Sequence, residues 1–112
     1  MNRSLTKTCF KFFRILGNPT RLAILELLTK NPLTVKEICE QINQERSMVA
    51  HNLHLLLSCG FVSVERRGKT RVYMLNEIIM EDIFRIFKNH YEKNCPLAHA
   101  PSDCGKVKSL KI

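Results

Sequence analysis

The sequence predicts a mainly α-helical domain carrying one small β-hairpin, in the order α-α-α-α-β-β-α. Three observations predict it. Apolar residues recur at helical spacing up to about residue 58; the period then shortens to that of strands over residues 61–75; helical spacing returns from Glu77 to Asn94. The 112 residues, 45% of them apolar, suit a single compact core. No apolar run approaches the roughly 18–20 residues that span a bilayer. Residues 1–13 hold Lys and Arg but no uninterrupted apolar stretch, unlike a secretory signal. A soluble, cytoplasmic protein with no membrane partner is therefore expected.

Each element has its own local cause. Leu5, Cys9, Phe12 and Leu16 form one stripe of a first helix that Gly17 ends. Asn18-Pro19 supplies an N-cap and a proline at the first helical position of a second helix. Leu22, Ile24, Leu25 and Leu28 are its buried side, and it stops near Asn31-Pro32. Thr34-Val35-Lys36-Glu37 has the form of a capping box, opening a third helix that runs to about Ile42. After the polar break Asn43-Gln44-Glu45, a fourth helix continues to about Ser58, with Val49, Leu53 and Leu56 buried, and Gly60 ends the segment. Two β-branched and aromatic runs, residues 61–65 and 70–75, flank Arg66-Arg67-Gly68-Lys69, a hairpin signal with a basic tip. The last helix, Glu77–Asn94, has two apolar stripes: Ile79, Ile83, Ile86 with His90, and Met80, Phe84, Phe87 with Tyr91. A surface helix of a monomer needs one apolar face. The second implies a partner, so a homodimer built on this helix is expected. Residues 1–94 thus read as the folded domain and residues 95–112, aperiodic with two Pro and two Cys, as a tail.

Charge narrows the function. Eighteen Lys and Arg against ten Asp and Glu leave a net +8, a balance that points to a polyanion. The excess is uneven. Arg3, Lys7, Lys11 and Arg14 have no acid among them, and Arg66, Arg67, Lys69 and Arg71 face Glu65 alone in their stretch. Two short helices joined by a tight polar turn and followed by a basic hairpin is the order of a winged helix-turn-helix. The fourth helix would then enter the major groove of double-stranded DNA. It offers Arg46, Ser47, Met48, Ala50, His51, Asn52 and His54 away from its Leu stripe. Arg46 suits guanine edges, Asn52 suits adenine, and Met48 or Ala50 suits a thymine methyl. Arg66, Arg67, Lys69 and Arg71 on the wing would hold flanking phosphates or reach a minor groove. For His51 and His54 the rival reading is plain solvent exposure.

At this point residues 13–76 resemble the ArsR/SmtB family of metal- and metalloid-responsive winged-helix repressors. The resemblance is carried by Leu16-Gly17-Asn18-Pro19-Thr20-Arg21-Leu22, by Leu33-Thr34-Val35-Lys36-Glu37-Ile38, by Val49 to Leu56 followed by Cys59-Gly60-Phe61-Val62, and by Arg67-Gly68-Lys69 with Val72-Tyr73-Met74-Leu75. It implies a homodimer paired through the first and last helices, bound to a palindromic operator and released by an inducer. Family recognition helices usually read Ser-x-His-Leu where this chain has Ala50-His51-Asn52-Leu53. The departure bears on the operator sequence and not on the DNA binding that the resemblance implies.

The resemblance also implies where an inducer would sit. The family's two Cys positions on the third helix fall on Thr34 and Lys36, so that thiolate pair is absent. Glu77 and His90 match two positions of the family's last-helix zinc site, but Ile79 and Lys93 occupy the others and do not complete tetrahedral zinc. What remains is soft thiolate ligation near the chain end: Cys95 and Cys104, with His99 between them and Cys9 on the first helix. Three sulfurs suit As(III), whereas two sulfurs with one or two His suit zinc or cadmium. A reversible disulfide acting as a redox switch is the alternative, and an unstructured tail with two casual thiols the bland one. Cys39 reads as buried and inert, and Cys59 as a small residue packed between recognition helix and wing. Five Cys is an odd count without an export signal, which argues against a disulfide scaffold.

An enzyme is not expected, since the chain has no Gly-rich phosphate loop, no His-Glu-x-x-His and no Cys-His-acid order. No organic cofactor is expected either. The rival outside DNA binding is a winged-helix interaction module without an inducer, which has no need of a polar recognition face and a basic wing together.

Overall fold

The computed structural model describes residues 3–94, as α1 (Arg3–Leu16), α2 (Pro19–Leu28), β1 (Leu33–Thr34), α3 (Val35–Ile42), α4 (Arg46–Ser58), β2 (Val62–Arg67), β3 (Thr70–Leu75) and α5 (Glu77–Asn94). The chain forms two compact units that divide between Asn76 and Glu77. The first unit is a winged helix-turn-helix: α3 and α4 joined by Asn43-Gln44-Glu45, with β2 and β3 as the wing.

Its helices begin where the side chains say they should. Asn18 Oδ1 accepts the Arg21 amide at 3.0 Å, and Pro19 follows as the first helical residue of α2. At α3 the capping box closes in both directions: Glu37 N–H donates to Thr34 Oγ1 at 3.2 Å, and Thr34 N–H donates to Glu37 Oε1 at 2.9 Å. Asn43 ends α3 in the left-handed region, φ 54°, which sets the tight turn into α4.

The core joins these helices to the sheet. Ile24 and Leu25 of α2, Ile38 of α3, and Val49, Leu53 and Leu56 of α4 are fully buried, with Leu28, Leu33, Phe61, Val62 and Val72 nearly so. Each buried side chain of this size stabilises the fold by about 1.5–3 kcal/mol relative to exposure. The Phe12 ring meets Phe61 edge-on at 5.1 Å, bringing α1 onto the same core.

Helix α4 ends in a Schellman motif. Phe61 N–H donates to the Leu56 carbonyl at 3.0 Å and Gly60 N–H to that of Leu57 at 3.1 Å, with Gly60 at φ 79°. Asn76 then closes the base of the wing, its Nδ2 donating to the Gly60 carbonyl at 2.8 Å and its amide to that of Phe61 at 3.0 Å. The wing turn is two residues, Gly68-Lys69, with Gly68 at φ 65° as its first position demands.

Three details differ from the sequence reading. The sheet has three strands, not two: β1 pairs antiparallel with β3 (Leu33↔Tyr73, Thr34↔Val72), giving the order β1-β3-β2. Two residues are too short to show a period, so no sequence signal marked them. On α1 the inward residue is Ile15, while Leu5 and Cys9 of the expected stripe are exposed and Phe12 and Leu16 are half-buried. Phe10 and Phe13 are exposed as well. In the second unit, α5 does not divide its two stripes cleanly by burial, since Ile83 of the first is half-buried and Phe87 of the second is 40% exposed. Met80 and Phe84 are buried, and Ile79, Ile86 and His90 are exposed.

Candidate nucleic-acid interface

Helix α4 turns two faces to different surroundings. Val49, Leu53 and Leu56 enter the core, and Ser47, His51, His54 and Ser58, at spacings of four, three and four, run along the opposite side, all exposed. Arg46, Met48 and Ala50 are exposed beside them. The N-cap residue Glu45 makes no side-chain cap hydrogen bond, so no side chain caps the first-turn amides of α4. This is a face of hydrogen-bonding and small groups at the positive end of a helix dipole.

One expected base-reading residue is not on that face. Asn52 is 6% exposed, and it is the buried polar residue of the described chain. Its Oδ1 accepts Arg21 Nε–H at 2.9 Å, and its Nδ2 donates to the Met48 carbonyl at 3.0 Å. Both ends of its amide are spoken for inside the protein, so the adenine contact expected of it is withdrawn. Its spacing showed this in advance: three residues after Val49 and four before Leu56, it shares their stripe.

The wing presents its cations. Arg66, Arg67, Lys69 and Arg71 are all exposed. Arg67 makes an exposed ion pair with Glu65 at 3.4 Å, worth little in water, and Arg66 Nε–H donates to the Gly68 carbonyl at 3.2 Å. In the hairpin register Arg66 stands directly opposite Arg71. Like charges opposed across an antiparallel pair oppose folding, and an anion lying along the wing would relieve them. Sequence reasoning placed four cations on the wing but not this pairing, which depends on the register.

The three cysteines among the described residues are dispersed. Cys9 is exposed on α1, Cys39 is half-buried on α3, and Cys59 is exposed at the end of α4. Cys59 therefore is not packed between recognition helix and wing. With Leu55 and Ser58 it lines an open groove of about 460 Å³, facing Phe12 and Ile15 of α1. Among the described residues no three His, Cys, Asp or Glu side chains converge as a metal site. Cys95, His99 and Cys104 lie outside the described residues.

Comparison with known proteins agrees with this geometry. Residues 18–64 match the model of the family described as bacterial regulatory protein, arsR family. The transcriptional repressor SdpR of Bacillus subtilis is 30% identical over 81 residues, spanning 72% of this chain and 90% of SdpR. An arsenical resistance operon repressor of Staphylococcus aureus is 28% identical over 72 residues, 64% of this chain and 69% of that one. A homodimeric winged helix-turn-helix DNA-binding domain of Mycobacterium bovis has the same fold, with a TM-score of 0.68 at 22% identity over 80% of this chain and 86% of that one.

Proposed function

The chain belongs to the arsR family of bacterial regulatory proteins, DNA-binding transcriptional repressors rather than enzymes, and on that premise we propose that it acts as a homodimer on a palindromic operator in the cytoplasm. Helix α4 lies in the major groove. Arg46 reads guanine edges, Ser47, His51 and His54 hydrogen-bond to base edges or phosphates, and Met48 and Ala50 meet thymine methyls. Arg66, Arg67, Lys69 and Arg71 hold the flanking phosphates.

The observation that carries this reading is the wing register. Two arginines directly opposite in the register, with no ion-pair partner among the described residues, suit a polyanionic surface better than a solvated one. Pairing through α1 and α5 is supported by Phe10 and Phe13 on the one, Ile78 and Ile86 on the other, all more than 60% exposed (64%, 67%, 82% and 65%). Apolar side chains of that size at such exposure call for a cover. The M. bovis domain of this fold is itself a homodimer.

For the inducer, the reading is a thiophilic ion, As(III) first and zinc or cadmium second. The ligands are Cys95 and Cys104 with Cys9 and His99. Its support is the arsenical resistance relative and the exposure of Cys9. Ion binding would bias the angle between the two reading helices of the dimer.

Duplex binding measured across a salt series tests the DNA reading. An operator binder loses affinity linearly in log–log form as salt rises. Replacing Arg66, Arg67 and Lys69 together by Gln is expected to weaken all duplex binding and flatten that line. Unchanged binding by the triple variant rejects the wing assignment.

A further inference from the structure

In the first turn of α2, Thr20 accepts from Gln44 Nε2 at 3.5 Å, and Arg21 beside it hydrogen-bonds to two other helices, neither partner being an acid. Its Nε–H donates to Asn52 Oδ1 at 2.9 Å and its Nη1–H to the Ile15 carbonyl at 3.1 Å, while its backbone amide is held by the Asn18 cap. One planar guanidinium therefore bonds the last turn of α1 and the middle of α4 from the first turn of α2. Asn52 passes the contact on to the Met48 carbonyl, one turn earlier in α4.

A partly buried cation bonded only to neutral oxygens is a costly way to fill space, and apolar side chains of similar volume would pack there more favourably. What they lack is direction. The fully buried residues of α4 are Val49, Leu53 and Leu56, with Leu55 and Leu57 half-buried, and packing of branched aliphatic groups restrains rotation about the helix axis less sharply than a directional hydrogen bond. A rotation of about 20° moves groups on the outer surface, at a radius of about 5–6 Å, by about 2 Å. Hydrogen bonds to base edges tolerate only a few tenths of an ångström.

From this geometry we propose that Arg21 and Asn52 are positioning residues for sequence recognition: they set the rotation of α4, and so aim Ser47, His51 and His54, without touching DNA. The proposal rests on α4 being the reading helix and adds a determinant of specificity outside it. Because Arg21 also holds the Ile15 carbonyl, the aim of α4 is tied to the end of α1.

The test compares R21K and R21M with the unaltered chain on two duplexes: a site selected by the unaltered protein from a random pool, and a random-sequence duplex of equal length. Fold and dimer are followed by circular dichroism and sedimentation. Lysine keeps the charge but lacks the fork, so both variants are expected to lose about tenfold in discrimination while affinity for random duplex and its salt slope stay unchanged. If R21K discriminates like the unaltered chain and R21M loses slope on both duplexes, Arg21 is a phosphate contact and the proposal is overturned. If melting temperature falls but discrimination holds, the pair only supports the fold, and the proposal is equally overturned.

Asn52 gives a second arm should the Arg21 variants fold poorly. N52D keeps an acceptor for Arg21 but loses the donor to the Met48 carbonyl, so it is expected to retain more discrimination than N52L and less than the unaltered chain; equal behaviour of N52D and N52L overturns the idea. A readout without DNA separates this proposal from the function it rests on. R21K is expected to move the amide NMR signals of Ser47, His51 and His54 more than those of β2 and β3. Unmoved α4 signals overturn the positioning role, whereas failure of the unaltered chain to enrich any duplex overturns the DNA reading instead.

Discussion

Replacing Arg71 by Thr is expected to raise stability and lower DNA affinity at once. Arg71 faces Arg66 across the β2–β3 pair, where directly opposed side chains have Cβ atoms about 4.5–5.5 Å apart, and the neighbouring carboxylate of Glu65 is paired with Arg67 at 3.4 Å. Thr keeps the strand preference and removes one of the two charges. Relief of a cross-strand repulsion contributes about 0.2–1 kcal/mol. For a domain of this size that raises the melting midpoint by about 1–4 °C. On DNA the same change deletes one phosphate contact per protomer, so the slope of log affinity against log salt falls by about 0.9 per protomer, about 1.8 for the dimer. At 0.15 M salt the missing counterion release costs about fivefold per protomer and about thirtyfold per dimer. Thermal melts and fluorescence anisotropy titrations at four salt concentrations read both effects. A variant that melts lower and keeps the full slope refutes the reasoning, because the pair then supports the wing and does not hold DNA.

Other expectations concern the remaining elements. His51→Ala combined with His54→Ala is expected to lower affinity for the selected site while leaving random-duplex affinity intact, read in the same titration; equal losses on both would make them phosphate contacts. Cys95→Ser with Cys104→Ser is expected to leave operator affinity unchanged and abolish release by arsenite, and continued release would remove the tail from the sensor; an oxidant tested in parallel separates ion binding from disulfide formation. Thr34→Ala breaks the capping box and is expected to cost about 1 kcal/mol in denaturant unfolding. Leu53→Ala, in the fully buried stripe of α4, is expected to cost about 2–5 kcal/mol by the same assay.

Much of the fold was legible because local rules and tertiary demands agree. Asn18-Pro19, the Thr34–Glu37 box, Gly60 and Gly68 each place a boundary by their own backbone chemistry, and the change from helical to strand period separates α4 from the wing. What escaped was either too short or set by distant partners. The strand Leu33–Thr34 has no period to detect. Cys59 follows Ser58 where α4 is already ending, and its side was fixed by how α1 crosses, not by spacing. Asn52 was misplaced for a chemical reason: an amide among polar neighbours reads as a base contact until its wheel position is weighed and Arg21, thirty-one residues earlier, is seen to bind it. The wing was read correctly as to charge, but the opposition of Arg66 and Arg71 required the register.

The clasp between β1 and β3 bears on how the wing can move. Thr34 is at once the cap of α3 and the partner of Val72, so the same residue anchors the helix pair and the ribbon. Asn76 fixes the base of the same ribbon to the carbonyls of Gly60 and Phe61, just after α4. Both anchors lie on the base side of the ribbon, and the Gly68-Lys69 tip projects beyond them. A ribbon fixed at its root and projecting at its tip bends most at the tip, where Arg67 and Lys69 sit.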